Sequence, residues 1–162
     1  MILFERLLPE QTEKVELLFE WRQTSYVSRS MGKPFAQSLD GHKTWVKNFF
    51  ENVDNCSWII TLQHKEIGYC DIRGIYSKKP ELGFFLGEQG YTHLTRPILQ
   101  QFYRFVREQY NVQFAFGVVR ADNKVILKIH RQMGWRVIRT IPNCFNGGAV
   151  DGCEICLRLE LV

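Results

Sequence analysis

Apolar residues recur along this chain in two rhythms, one at every second position and one at every third or fourth. Residues 2–8 form a short apolar run stopped by Pro9, which reads as a strand. Over 11–23, Val15, Leu18, Phe19 and Arg22 fall at helical spacing; 26–31 predicts a further helical turn before Gly32, Lys33 and Pro34 break it. Ser38 or Asp40 is placed to cap the next helix, whose apolar face is Trp45, Val46, Phe49 and Phe50. Strands follow at 57–63, 66–75 and 79–86, the first two joined by a tight turn at His64 and Lys65. Ile98, Leu99, Phe102, Phe105 and Val106 then share one helical stripe, with polar residues opposite. A β-rich run at 112–119, a helix over 123–133 and a strand at 135–141 lead to a Gly-rich loop at 143–152 and a last strand at 153–161.

The order is β, α, α, β, β, β, α, β, α, β, β. The middle strands make an antiparallel meander, and the helix between the 79–86 and 112–119 strands is long enough for a parallel crossover. No linker or repeat divides the chain, so residues 1–162 are expected to form one α/β (α+β) domain.

Composition narrows the classes. Hydrophobic residues at 45% and charged ones at 23% describe an ordinary globular protein, and aromatics at 14% suit a dense core or a lined pocket. A net charge of +4 would help draw in a polyanionic ligand such as a nucleotide cofactor, but no Lys/Arg run signals nucleic-acid binding. No segment reaches membrane-spanning length, and Glu5 and Arg6 interrupt the opening apolar residues, so neither a membrane nor a secretory role is expected. Cys56, Cys70, Cys144, Cys153 and Cys156 are odd in number and mostly scattered, which suits reduced thiols in the cytoplasm. Cys153 and Cys156 are three apart in a strand and face opposite sides, so no metal site is expected there.

Particular residues carry a family resemblance. Phe19-Glu20-Trp21-Arg22, then Val27-Ser28-Arg29-Ser30-Met31, and His42 with Trp45 resemble the entry segment of one subgroup of the GNAT (Gcn5-related) N-acetyltransferases. That subgroup holds the nucleotide-amino-sugar N-acetyltransferases of pseudaminic acid biosynthesis and, more distantly, the ribosomal-protein acetyltransferases. Glu81-Leu82-Gly83-Phe84-Phe85 resembles the family's central strand. Asn123-Lys124, Lys128-Ile129-His130 and Gly134-Trp135 resemble its Asn-to-Gly-Phe signature. The resemblance implies a mixed, mostly antiparallel sheet with flanking helices and two splayed parallel strands in the middle. It implies acetyl-CoA as co-substrate, no metal, a small-molecule amine as acceptor, and is compatible with a homodimer.

The resemblance also distributes roles. The amide-rich arm of acetyl-CoA would pair with the open edges of 81–86 and 112–119, which brings in Phe84, Phe85 and Leu86. Its pyrophosphate would rest on Gly90, Tyr91, Thr92, His93, Thr95 and Arg96, with Asn123 and Lys128 nearby on the next helix. Trp21, Arg22, Arg29, Met31, His42 and Trp45 come from the segment forming the acceptor side; Arg22 and Arg29 could hold an anionic group such as a diphosphate. Glu81 could orient or deprotonate the amine.

Two departures stand out. The family's phosphate loop usually reads Arg/Gln-x-x-Gly-x-Gly/Ala, whereas here Gly87-Glu88-Gln89-Gly90-Tyr91-Thr92 stands in its place. Thr95-Arg96-Pro97 predicts an N-cap followed by a first-turn proline, hence a late helix start and a longer loop. That describes either a remodelled cradle or weakened phosphate binding. The second departure is His130, where the family usually has Tyr. An imidazolium of pKa about 6.5 is a competent acid toward a thiol of about 8.5, and neutral imidazole could instead act as base. A plain helix-boundary histidine is the third reading. Two functions therefore stay beside the small-amine N-acetyltransferase: a catalytically degenerate binding module, and a peptide or protein N-acetyltransferase.

Overall fold

The computed structural model describes residues 1–29 and 38–161. Met31 and the end of the turn expected at 26–31 lie outside them. Strands β1 (Ile2–Arg6), β2 (Cys56–Leu62), β3 (Lys65–Arg73), β4 (Glu81–Leu86), β5 (Phe114–Arg120), β6 (Arg136–Phe145) and β7 (Val150–Arg158) form one sheet in the order β1-β2-β3-β4-β5-β7-β6. Among the described residues only β4 and β5 run parallel; the other neighbours are antiparallel. Between β2 and β3, Gln63 and His64 take positive φ of 50° and 66°, the left-handed pair that matches the twist of a hairpin.

The period of two along the strands separates two cores. Trp58, Ile60, Cys70 and Ile72 face α4 (Thr95–Tyr110), which contributes Ile98, Leu99, Phe102, Tyr103 and Val106; Ile129 of α5 (Lys124–Gln132) packs on the same side. Trp135 closes this core, its indole N–H donating to the Tyr103 hydroxyl at 3.0 Å. Ile59 and Tyr69 point the other way, to Leu7, to Val15, Leu18 and Trp21 of α1 (Thr12–Gln23), to Val27 of α2 (Ser25–Ser28) and to Val46 of α3 (Leu39–Glu51). Ser38 is the α3 cap, its hydroxyl accepting from Gly41 N–H at 3.0 Å. Among the described residues no helix is long and apolar enough to cross a membrane.

The expected Gly-rich loop at 143–152 is mostly strand. β6 continues to Phe145 and β7 starts at Val150, so the hairpin turn is only residues 146–149. The pairing shifts register between Ile141 and Phe145, a bulge that accommodates Pro142, which has no N–H to give a ladder. Asn143 and Asn146 take the left-handed backbone conformation, with φ of 53° and 51°, and asparagine tolerates this better than most residues. The Asp151 carboxylate accepts from Asn143 N–H at 3.0 Å and closes the bulge.

Candidate active site

β4 and β5 touch as strands at one place only. Glu81 pairs with Phe116, and Phe116 N–H donates to the Pro80 carbonyl at 2.9 Å. Beyond that bridge β4 stays laddered to β3 as far as Leu86, and β5 to β7 as far as Arg120, yet neither pairs with the other. The β5-facing edge of β4 and the β4-facing edge of β5 therefore diverge with backbone donors and acceptors unspent on each other. An extended, amide-rich molecule can pair with such edges as an added strand does. Phe84 and Leu86 project from β4 toward the α4 core and Phe85 toward Tyr69, 5.3 Å between ring centroids.

The open end of this gap leads into a loop and then α4. Residues Gln89–Leu94 form a 3-10 turn, and Gly90 has open space where a side chain would be. Lys65 lies over the Tyr91 ring at 5.4 Å. Thr95 is not the cap that the sequence suggests. Leu94 occupies that position, without a side-chain cap bond, and Thr95 is the first helical residue; its hydroxyl donates to the Thr92 carbonyl at 2.8 Å. The preceding 3-10 turn already presents the Thr92 carbonyl, so the threonine closes the turn instead of capping the helix. His93 and Arg96 are exposed beside this start, where a helix favours anions. The loop is tied to α1 at Gly87, where a Cβ would lie 2.1 Å from the Trp21 ring. Glu88 accepts from the Trp21 indole at 3.3 Å and pairs with Lys65 at 3.2 Å.

On α5, Asn123 is the cap, its side chain accepting from Ile126 N–H at 3.2 Å. Lys128 is exposed. His130 lies half-buried near the helix end, 5.4 Å from the Trp135 ring, and its buried Nδ1 has no hydrogen-bond partner. Burial lowers its pKa to about 4. At pH 7 only about one ring in a thousand is then doubly protonated. The resting ring is therefore neutral, and the expected imidazolium acid is not the form this fold supplies.

On the α1/α3 side of the sheet lies a polar cluster. The Arg22 guanidinium, buried, lies 4.0 Å from the centroid of the Trp45 ring. His42 stacks on Trp45 and is fully buried, its Nε2 2.9 Å from the Val15 carbonyl oxygen and its pKa lowered to about 4 by burial. It supports Trp45 from the core and has no surface to offer an acceptor. Trp21, 4% exposed, is likewise core. Arg29 is exposed at the end of α2.

The sequence reading missed Asp71 and Arg73. With Tyr69 they take alternate positions on β3, facing β4 where Asp71 pairs with Gly83 and Arg73 with Glu81. Asp71 is buried, and Gly83 makes room for it: a Cβ there would meet Oδ1 at 2.5 Å. Burial raises the Asp71 pKa against the pull of Arg73, Tyr69 and Arg22. Arg73 reaches Asp71 at 3.5 Å and Glu81 at 3.0 Å. The available signal was a carboxylate alternating with the apolar Cys70 and Ile72 in a strand next to Glu81. Further along the same face, Glu154 of β7 is buried and paired with both Lys79 and Arg139.

A parallel pair that parts beyond one bridge, opening on a loop and helix start and closing on a polar face, defines an α/β domain for holding an extended donor molecule. Sequence comparison agrees: residues 6–136 match the acetyltransferase (GNAT) domain family, and the chain belongs to it. It is thus an acetyl-CoA-dependent N-acetyltransferase by family. No curated protein matches the chain in sequence. Among solved structures, a chimera of the spermidine N-acetyltransferase SpeG from Vibrio cholerae with hSSAT superposes with a TM-score of 0.83 at 11% identity, covering 99% of this chain and 96% of that one. A mutant spermidine/spermine N-acetyltransferase SpeG from Vibrio cholerae gives 0.78 at 11% identity, covering 99% and 95%. A dodecameric spermidine N-acetyltransferase from Vibrio cholerae gives 0.77 at 10% identity, covering 98% and 94%. At such identities the likeness concerns the fold.

Proposed function

We propose that this protein transfers the acetyl group of acetyl-CoA to a primary amine of a small molecule, with a nucleotide-linked amino sugar as the first acceptor to test. The observation that carries the reading is the single β4–β5 bridge at Glu81 and Phe116, beyond which the two strands do not pair with each other. In this reading the backbone of Phe84, Phe85 and Leu86 receives the pantetheine arm. Gly90, Tyr91, Thr92, His93, Thr95 and Arg96 surround the pyrophosphate, and Lys128 stands toward the adenosine phosphate. Asn123 serves by capping the helix that carries His130.

The amine attacks the thioester carbonyl, the C–S bond breaks, and the proton shed by nitrogen must reach the sulfur. A neutral His130 suits a relay: it takes the proton from the amine and gives it to the departing thiolate, whose charge favours imidazolium as it develops. Arg22 and Arg29 supply positive charge for the anionic part of an amino-sugar nucleotide. The same reading makes the protein cytoplasmic, and a homodimer is compatible with it.

Thiol release from acetyl-CoA, measured with nucleotide amino sugars, free amino sugars and peptides, tests the proposal. Turnover should be highest with the nucleotide-linked amine. His130→Ala should lose at least about a hundredfold in kcat, the usual scale for a proton-transfer group. Preference for peptides would move the chain to the peptide acetyltransferases. No calorimetric binding at millimolar acetyl-CoA would make it a non-catalytic module.

A further inference from the structure

The structural neighbours described above are named for polyamines, and a polyamine site needs carboxylates whose charge is free to meet ammonium groups. This chain has two carboxylates at the closed end of the gap. Asp71 leans over β4 at Gly83, and Glu81 stands at the bridge where the strands part. Asp71 Oδ1 is buried, with Arg73 Nε 3.5 Å away, and the Tyr69 hydroxyl donates to the same carboxylate. Between the two carboxylates lies Arg73, 3.5 Å from one and 3.0 Å from the other.

The rest of that face is matched in the same manner. Glu154 is shared by Lys79 and Arg139, and buried Arg22 adds further positive potential beside Asp71. Among the described residues the face therefore carries Asp71, Glu81 and Glu154 against Arg22, Arg73, Lys79 and Arg139. An incoming polycation meets no uncompensated negative charge there. An incoming monoamine is helped, because nearby positive charge favours its neutral, nucleophilic form.

We propose that Arg73 is a specificity-determining residue, which occupies the Asp71–Glu81 carboxylate pair and so excludes polycationic amines from the acceptor site. The inference rests on the transferase reading for its meaning, but its test does not depend on turnover. Arg73 is half-exposed, with 46% of its side chain accessible, and an incoming ammonium group would have to displace it from both carboxylates. Removing the guanidinium leaves a buried and an exposed carboxylate side by side at the mouth of the gap, a site for an ammonium group.

The experiment is calorimetric titration of spermidine into the wild-type protein, Arg73→Gln, Arg73→Lys and the double variant Arg73→Gln/Asp71→Asn, with spermidine acetylation followed in parallel. Arg73→Gln should bind spermidine about five- to tenfold more tightly than wild type, the scale of one screened charge contact near a surface. The gain should vanish in the double variant and at high salt, and Arg73→Lys should behave as wild type. Spermidine binding unchanged in Arg73→Gln, or a gain that survives Asp71→Asn, overturns the proposal. Circular dichroism and the thermal midpoint of each variant confirm that a folded protein is being titrated. If spermidine binding rises in Arg73→Gln while the wild-type protein acetylates neither spermidine nor any of the nucleotide amino sugars, free amino sugars and peptides named above, Arg73's role stands and the transferase reading falls.

Discussion

Gly87, His42 and His130 show how single positions set the behaviour of the site. The Trp21 indole occupies the space where a side chain at residue 87 would begin. Gly87→Ala must therefore push α1 away from the loop that precedes α4, or bend the end of β4. Overpacking of this kind costs about 1–3 kcal/mol, so the thermal midpoint should fall and acetyl-CoA binding should weaken with it; a variant with wild-type values for both would show the contact to be soft. His42 and His130 carry a pH dependence. Each has a pKa of about 4 in the folded chain, against about 6.5 when unfolded. The unfolded chain takes up these protons first, so stability is complete above about pH 6.5 and drains away as pH falls toward 4, by up to about 3 kcal/mol per ring. Asp71, raised in the folded state, works in the opposite direction and tempers the loss. Urea unfolding at pH 7.5 and 4.5 checks the sign: the midpoint should be lower in acid.

At the scale of elements, α5 depends on its first residues. Asn123→Ala removes the cap bond to Ile126, worth about 1 kcal/mol. The thermal midpoint should drop accordingly, with the loss of activity exceeding the loss of stability if α5 must be held still to present His130. The order of elements could be read from the chain because strand and helix periods differ and each helix buries a stripe. Where that reading slipped, a local geometry had overridden composition. Glycines at 147, 148 and 152 suggested a loop, but a bulge at Pro142 and two left-handed asparagines let the ladder run through it. Thr95 looked like a cap because no sequence rule reveals the 3-10 turn that comes before it. For the proposed site, His130, Glu81 and Arg22 were singled out through the family resemblance. Asp71 was not, since its significance depends on the empty space above Gly83 and on Arg73 across the strand.

The whole molecule is a sheet in two parts. β1 to β4 form one continuous ladder, β5, β7 and β6 another, and one backbone bridge joins them. A donor laid in the gap adds contacts to both parts, so it binds the folded chain alone and must stabilise it, by about 2.7 kcal/mol at a hundred times its dissociation constant. Thermal unfolding against increasing acetyl-CoA should show a rising midpoint, and no rise would mean that the gap is not where the donor lies. Free CoA keeps the same arm after the acetyl group has gone. If the donor lies in the gap as proposed, the spent carrier grips the two ladders much as the loaded one did, and each catalytic cycle has to undo that clasp before another can begin. An enzyme so arranged is expected to be slowed by its own by-product, with its pace governed by how quickly the seam unfastens.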